Sequence, residues 1–142
     1  ETGGILLGFR SDQGLHITGA IEVTDLRATK HAYRRAHRRA SKLLAAALAD
    51  QPSDSPVGYV GEWHTHPAPA GPSDIDMHAI AATALAATDQ IALVVLARCD
   101  DEWQPIVAVA EPQPPQSPTR RTSRRSLRRP GATEGSDDAL AR

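Results

Sequence analysis

The sequence predicts a mixed α/β domain, a β-sheet flanked by helices. Short apolar or alternating runs read as strands, one long stretch carries apolar residues at spacings of three and four, and turn-forming clusters separate them. The order is β-β-α-β-α-β-β, which belongs to sheets covered by helices rather than to all-β or all-α architectures. At 142 residues the chain has room for one ordinary domain.

The first strand is the apolar run Gly4 to Phe9. The second, Leu15 to Val23, alternates with period two and follows the turn cluster Ser11-Asp12-Gln13-Gly14, so the pair reads as a hairpin. Residues 27–49 contain neither Gly nor Pro, and Tyr33, Ala36, Ala40, Leu43, Leu44, Ala47 and Leu48 form a helical stripe. Arg34, Arg35, Arg38 and Arg39 fall mostly off it. The loop Gln51 to Pro56 ends that helix, and Val57 to His64 is the third strand. A second helix runs from Ile75 to about Thr88, opened by Ser73-x-x-Asp76, a capping-box pattern. Ile91 to Ala97 and Trp103 to Ala110 are the last strands, joined by the acidic turn Asp100-Asp101-Glu102.

Aromatic residues make up only 4% of the chain, so Ala, Val, Leu and Ile must fill the core. No apolar run is long enough for a membrane-spanning helix. The single cysteine, Cys99, excludes an internal disulfide and a Cys-rich zinc site. With no secretory signal pattern, it points to a reducing, cytoplasmic setting. Residue 1 is Glu, so the sequence is expected to lack its natural start.

Charge is segregated. Residues 1–110 hold nine Lys/Arg against thirteen Asp/Glu, whereas residues 111–142 hold seven Arg against four Asp/Glu. The second segment is rich in Pro, Ser and Arg and nearly devoid of large apolar residues, so it reads as a disordered tail. Its run Arg120 to Arg129 has no aromatic residue to stack on a base, so nucleic acid is not an expected partner.

The densest polar cluster is Glu62-Trp63-His64-Thr65-His66-Pro67, followed by a Pro-rich loop and Ser73-Asp74-Ile75-Asp76. Histidines two apart on a strand share a face and can converge on one ion. Asp76, in the first turn of the next helix, can face back toward the strand end. Two imidazoles and one carboxylate are a donor set typical of catalytic Zn²⁺ with one position left for water. Capping competes for the same residues: Ser73 can serve both roles, Asp76 not easily. A general base is also required, and Glu1, Glu22, Glu62, Asp74 and Asp25 are the candidates. Glu62 has the spacing of a same-face neighbour of His64, and Asp74 reads as a helix-start charge. His16, His31, His37 and His78 read as surface or strand residues, and Trp63 as a packing residue on the opposite face.

Glu1-Thr2-Gly3-Gly4-Ile5-Leu6-Leu7-Gly8, His64-Thr65-His66-Pro67 and Ser73-Asp74-Ile75-Asp76 together resemble the JAMM signature of the JAB/MPN metallopeptidases, in its compact bacterial form. The resemblance covers residues 1–110 and implies the MPN architecture, which is cytidine-deaminase-like. It implies His64, His66 and Asp76 as zinc ligands, Glu1 as the base acting on water, and Ser73 as an oxyanion donor. It further implies a substrate amide or isopeptide bond at the C-terminus of a ubiquitin-like or sulfur-carrier protein. The elements that precede the signature Glu in the family lie outside this sequence, so the backbone at Glu1 is expected to lack neighbours. A catalytically impaired MPN scaffold that only binds a protein is the alternative. Deamination is excluded because no Pro-Cys-x-x-Cys follows, and barrel-type His-x-His hydrolases need a far longer chain.

Overall fold

The computed structural model describes residues 1–25 and 36–113. Seven elements follow in the expected order: β1 (Gly3–Ser11), β2 (Gly14–Glu22), α1 (His37–Ala49), β3 (Gly58–His66), α2 (Asp74–Ala87), β4 (Ile91–Cys99) and β5 (Glu102–Ala110). They build a mixed α/β fold around a five-stranded sheet of order β2-β1-β3-β4-β5. The β3–β4 pair is parallel and the other neighbours are antiparallel. A parallel pair needs a crossover connection, and α2 supplies it. Among the described residues no helix is long and apolar enough to cross a membrane.

Both helices lie on one face of the sheet. Ile5, Glu62 and Leu93 are paired across β1, β3 and β4, so their side chains share that face. There Ala40 of α1, with Leu43 and Leu44, packs on Ile5 and Val23. Ile80 and Ala84 of α2 pack on Ile91, Leu93, Val95 and Ala110. Tyr59 touches both groups. The opposite face carries Leu6, Val60 and Ala92 with Leu15, Trp63 and Val94, so Trp63 has the packing role expected of it.

Glycines in the first strand are explained by strand spacing. A Cβ on Gly4 would lie 1.8 Å from the Ile21 carbonyl oxygen and 2.8 Å from Trp63 Nε1. Any side chain there would push β2 away or displace the indole.

One boundary differs from expectation. The helix predicted from residue 27 begins at His37, and Ala36 is extended (φ −73, ψ 97) with no side-chain cap. An apolar stripe locates a buried face but carries no start signal, and Ala36 cannot supply one. Residues 26–35, which include Tyr33 and His31, lie outside the described residues, as does the tail from residue 114.

Candidate metal centre

The polar cluster sits where β3 ends and α2 begins. His64 and His66 are the final face-sharing pair of β3, opposite Val95 and Ala97 of β4. The stretch Pro67 to Pro72 then reverses the chain. Its turn is closed by a hydrogen bond from the Ala70 amide to the Ala68 carbonyl (2.8 Å). The reversal brings the first turn of α2 back over the strand end.

His64, His66 and Asp76 each offer one donor atom, and these atoms lie within 4.8 Å of one another. His64 Nε2 is 3.0 Å from His66 Nε2. Asp76 Oδ1 is 3.6 Å from His64 Nε2, and Asp76 Oδ2 is 3.8 Å from His66 Nε2. Donors bound tetrahedrally to zinc at about 2.0–2.1 Å stand about 3.3 Å apart. The His64–His66 and His64–Asp76 Oδ1 separations lie on either side of that value, so the group is able to hold a metal ion. Facing imidazole nitrogens at this distance would repel through their lone pairs unless a proton or a cation lies between them.

His66 has its tautomer set by the loop. Its Nδ1 lies 3.0 Å from the Ala70 carbonyl oxygen, which can only accept, so Nδ1 carries a hydrogen and Nε2 is the nitrogen left to meet a cation. His64 is only 9% exposed. Burial pushes its pKa below the ordinary value and His66 adds to this, while Asp76, Glu1 and Glu62 pull the other way. The net result is a neutral imidazole at pH 7, the form that can ligate.

Asp76 answers the competition between capping and ligation by dividing its oxygens. Its Oδ2 accepts from the Ser73 amide (2.7 Å) and the Ser73 hydroxyl (2.7 Å). The Asp76 amide donates to Ser73 Oγ (3.2 Å), completing the capping box. Oδ1 is the oxygen nearer His64. The cap thus takes one oxygen of the carboxylate and leaves the other facing His64, so the geometry has room for both tasks. Burial alone would raise the Asp76 carboxyl pKa, but the Ser73 hydrogen bonds and then the two imidazoles outweigh it and hold the group below the usual range.

The expected base is also held better than its terminal position suggests. Thr2 accepts from the Thr65 amide (2.8 Å) and donates its own amide to Thr65 Oγ1 (2.9 Å), and Gly3 pairs with His64. Glu1 therefore sits at the head of a strand pinned beside the two histidines, where its charge acts on His64.

Glu62 is confirmed on the His64 face, and its Oε1 accepts from the Tyr59 hydroxyl (3.1 Å). Residues three apart on a regular strand point to opposite faces; a register irregularity beside Val60 brings Tyr59 and Glu62 together. Glu22 pairs with Gly4, and Gly4 with Trp63, which puts Glu22 on the other face. Asp74 is exposed in the first turn of α2.

The remaining histidines and tryptophan stand apart from the donor group. His16 stacks on Phe9, and His78 Nδ1 bonds the Asp74 carbonyl on the surface of α2. Trp103 is half exposed beneath Arg98. Two contributors escaped sequence reasoning: the Ala70 carbonyl and Thr65 Oγ1. The crowding of prolines after His66 was the only available signal for the first.

The solution structure of a protein from Salinibacter ruber (strain DSM 13855) aligns with 77% of this chain at 23% identity and a TM-score of 0.41. The aligned region spans 66% of that protein's length, just under two thirds. No curated protein matches the chain. Residues 1–108, which hold β1 to β4, both helices, most of β5 and the whole donor group, match the family of prokaryotic homologs of the JAB domain. The chain belongs to that family.

Proposed function

We propose that this domain is a zinc-dependent metallopeptidase that hydrolyses an amide or isopeptide bond at the C-terminus of a ubiquitin-like or sulfur-carrier protein. The observation that carries the reading is the convergence of His64 Nε2, His66 Nε2 and an Asp76 carboxylate oxygen. Three protein donors leave one position of a tetrahedral ion open, as catalytic sites require. A zinc ion held there would supply an activated water and a Lewis acid toward the scissile carbonyl.

The chain's own residues do the rest. Burial favours the neutral form of His64, and the Ala70 carbonyl aims the ring of His66. Glu1, at the head of β1, takes a proton from the attacking water and returns it to the leaving amine. The β1–β3 pairing through Thr2 and Gly3 keeps its backbone beside the strand that carries the two histidines, which supports this role. No covalent intermediate on the protein is needed. The intact donor set favours this reading over a binding scaffold without chemistry.

The test is cleavage of a ubiquitin-like protein carrying a C-terminal fusion. Activity should be lost with a chelator, return with zinc, and be abolished in Glu1→Gln while zinc stays bound. Full activity in Glu1→Gln would move the base to Glu62. A zinc-loaded wild type that cleaves no such fusion would favour the scaffold.

A further inference from the structure

We propose that Ser73 is a positioning residue, whose hydroxyl and amide clamp one oxygen of Asp76 and so present the other to the metal. This rests on the metal-site reading above. Ser73 is fully engaged within the first turn of α2. Its carbonyl accepts from the Met77 amide (2.9 Å), its amide donates to Asp76 Oδ2, and its Oγ accepts from the Asp76 amide. The one hydroxyl hydrogen is directed at Asp76 Oδ2, 2.7 Å away. Oδ2 thus receives two short charge-assisted hydrogen bonds, which fill its lone-pair directions.

The consequence is geometric. Asp76 cannot turn about its last torsion without breaking both bonds, so Oδ1 stays directed at the space shared with His64. A carboxylate free to rotate would have to lose that freedom on binding a cation, or would lie against a histidine. The clamp removes this cost before the metal arrives. In this geometry the hydroxyl hydrogen lies on Asp76, so an oxyanion role for Ser73 would require it to turn away from the carboxylate.

Capping and clamping can be separated by choice of variant. Glycine is tolerated at an N-cap at a cost of a few tenths of a kcal/mol, whereas alanine costs about 1 kcal/mol. Both remove the hydroxyl and keep the amide, and threonine retains both groups. Zinc affinity, measured by competition with a chromogenic chelator, should weaken about ten- to a hundredfold in Ser73→Gly. Ser73→Ala should weaken it by a similar factor despite its lower melting temperature. Ser73→Thr should bind nearly as tightly as wild type, with circular dichroism unchanged across the set.

Wild-type zinc affinity in Ser73→Gly, with turnover reduced at saturating zinc, would overturn the proposal in favour of direct action on substrate. Affinity that falls in step with melting temperature would overturn it in favour of simple capping. A wild type that binds no zinc would sink the metal-site reading itself, and this proposal with it.

Discussion

Helices α1 and α2 pack on the same sheet face, yet they start in opposite ways. At α1, Ala36 occupies the N-cap with no side-chain bond, no acid lies in the first turn, and Arg38 and Arg39 put positive charge at the positive end of the dipole. At α2, Ser73 and Asp76 satisfy each other's amides and Asp74 adds a second negative charge. The difference follows what each start must do. The position of α1 is set by Ala40, Leu43 and Leu44 against Ile5 and Val23, and a loose first turn costs nothing at the sheet. The start of α2 carries a side chain that must meet two imidazoles to within a few tenths of an ångström, so its local geometry is over-determined.

Removing a donor should separate the two helix starts most strongly. Wild-type protein passed over a desalting column after zinc loading should retain close to one zinc per chain, by the reading above. His66→Ala and Asp76→Ala should each retain almost none. The two should then differ in stability. His66→Ala leaves the start of α2 intact, whereas Asp76→Ala also deletes one half of the capping box and should melt lower in the metal-free state. Retention of zinc in either variant would overturn the donor assignment. Equal melting would mean that the box contributes little beyond placing the carboxylate.

Acid should expose a second contrast, because both perturbed groups lie at the α2 end. His64 has a folded pKa below its ordinary value of 6.5. The unfolded chain therefore takes up that proton first, and metal-free stability should begin to fall as pH drops through 6.5 and level off below the folded pKa. Asp76 is also lowered, from 3.8, so its contribution is present above that value and is lost as pH falls through its folded pKa. Denaturant unfolding of the metal-free protein over a pH series should show both declines. His64→Gln should lack the upper one, and Asp76→Asn should lack its share of the lower. An upper decline that survives in His64→Gln would place its origin in another histidine.

How much of this was legible in the sequence divides along the line between local and long-range order. Element order and type were readable because each rests on periodicity within a dozen residues: the alternation of Leu15 to Val23, the stripe through Ala40, Leu43 and Leu44, and the Ser73–Asp76 box. The donor set was readable because His64 and His66 share a strand face by spacing alone. What was hidden depends on pairing between distant segments. Gly3 opposite His64 and Thr2 against Thr65 are contacts across more than sixty residues, and they are what secure Glu1. The Ala70 carbonyl that fixes His66 is a backbone group with no side-chain signature. The division of labour between Asp76 Oδ1 and Oδ2 is a matter of rotamer, to which composition and spacing are blind. The start of α1 at His37 was hidden for the complementary reason: no capping residue marks it, and the break at Ala36 leaves no trace in a periodic stripe.

The smallest expected effect tests whether the loose start of α1 is a real economy or a missing part. Ala36 is exposed and already extended, the backbone state of an N-cap residue, and its carbonyl accepts from the Arg39 and Ala40 amides (both 3.0 Å). A serine or aspartate placed there needs no backbone change to accept from the Arg39 amide through its side chain. Ala36→Ser should therefore stabilise the domain by about 0.5–1 kcal/mol. Ala36→Asp should do slightly better, since its charge faces His37, Arg38 and the positive end of the helix. The gain is a few degrees in melting temperature, and zinc affinity should not move, because α1 contributes no donor. If neither substitution shifts the melting curve, packing at Ala40 alone dictates where α1 begins. If zinc affinity changes with α1 capping, the two helix starts are coupled through the core, where Tyr59 touches the groups under both helices.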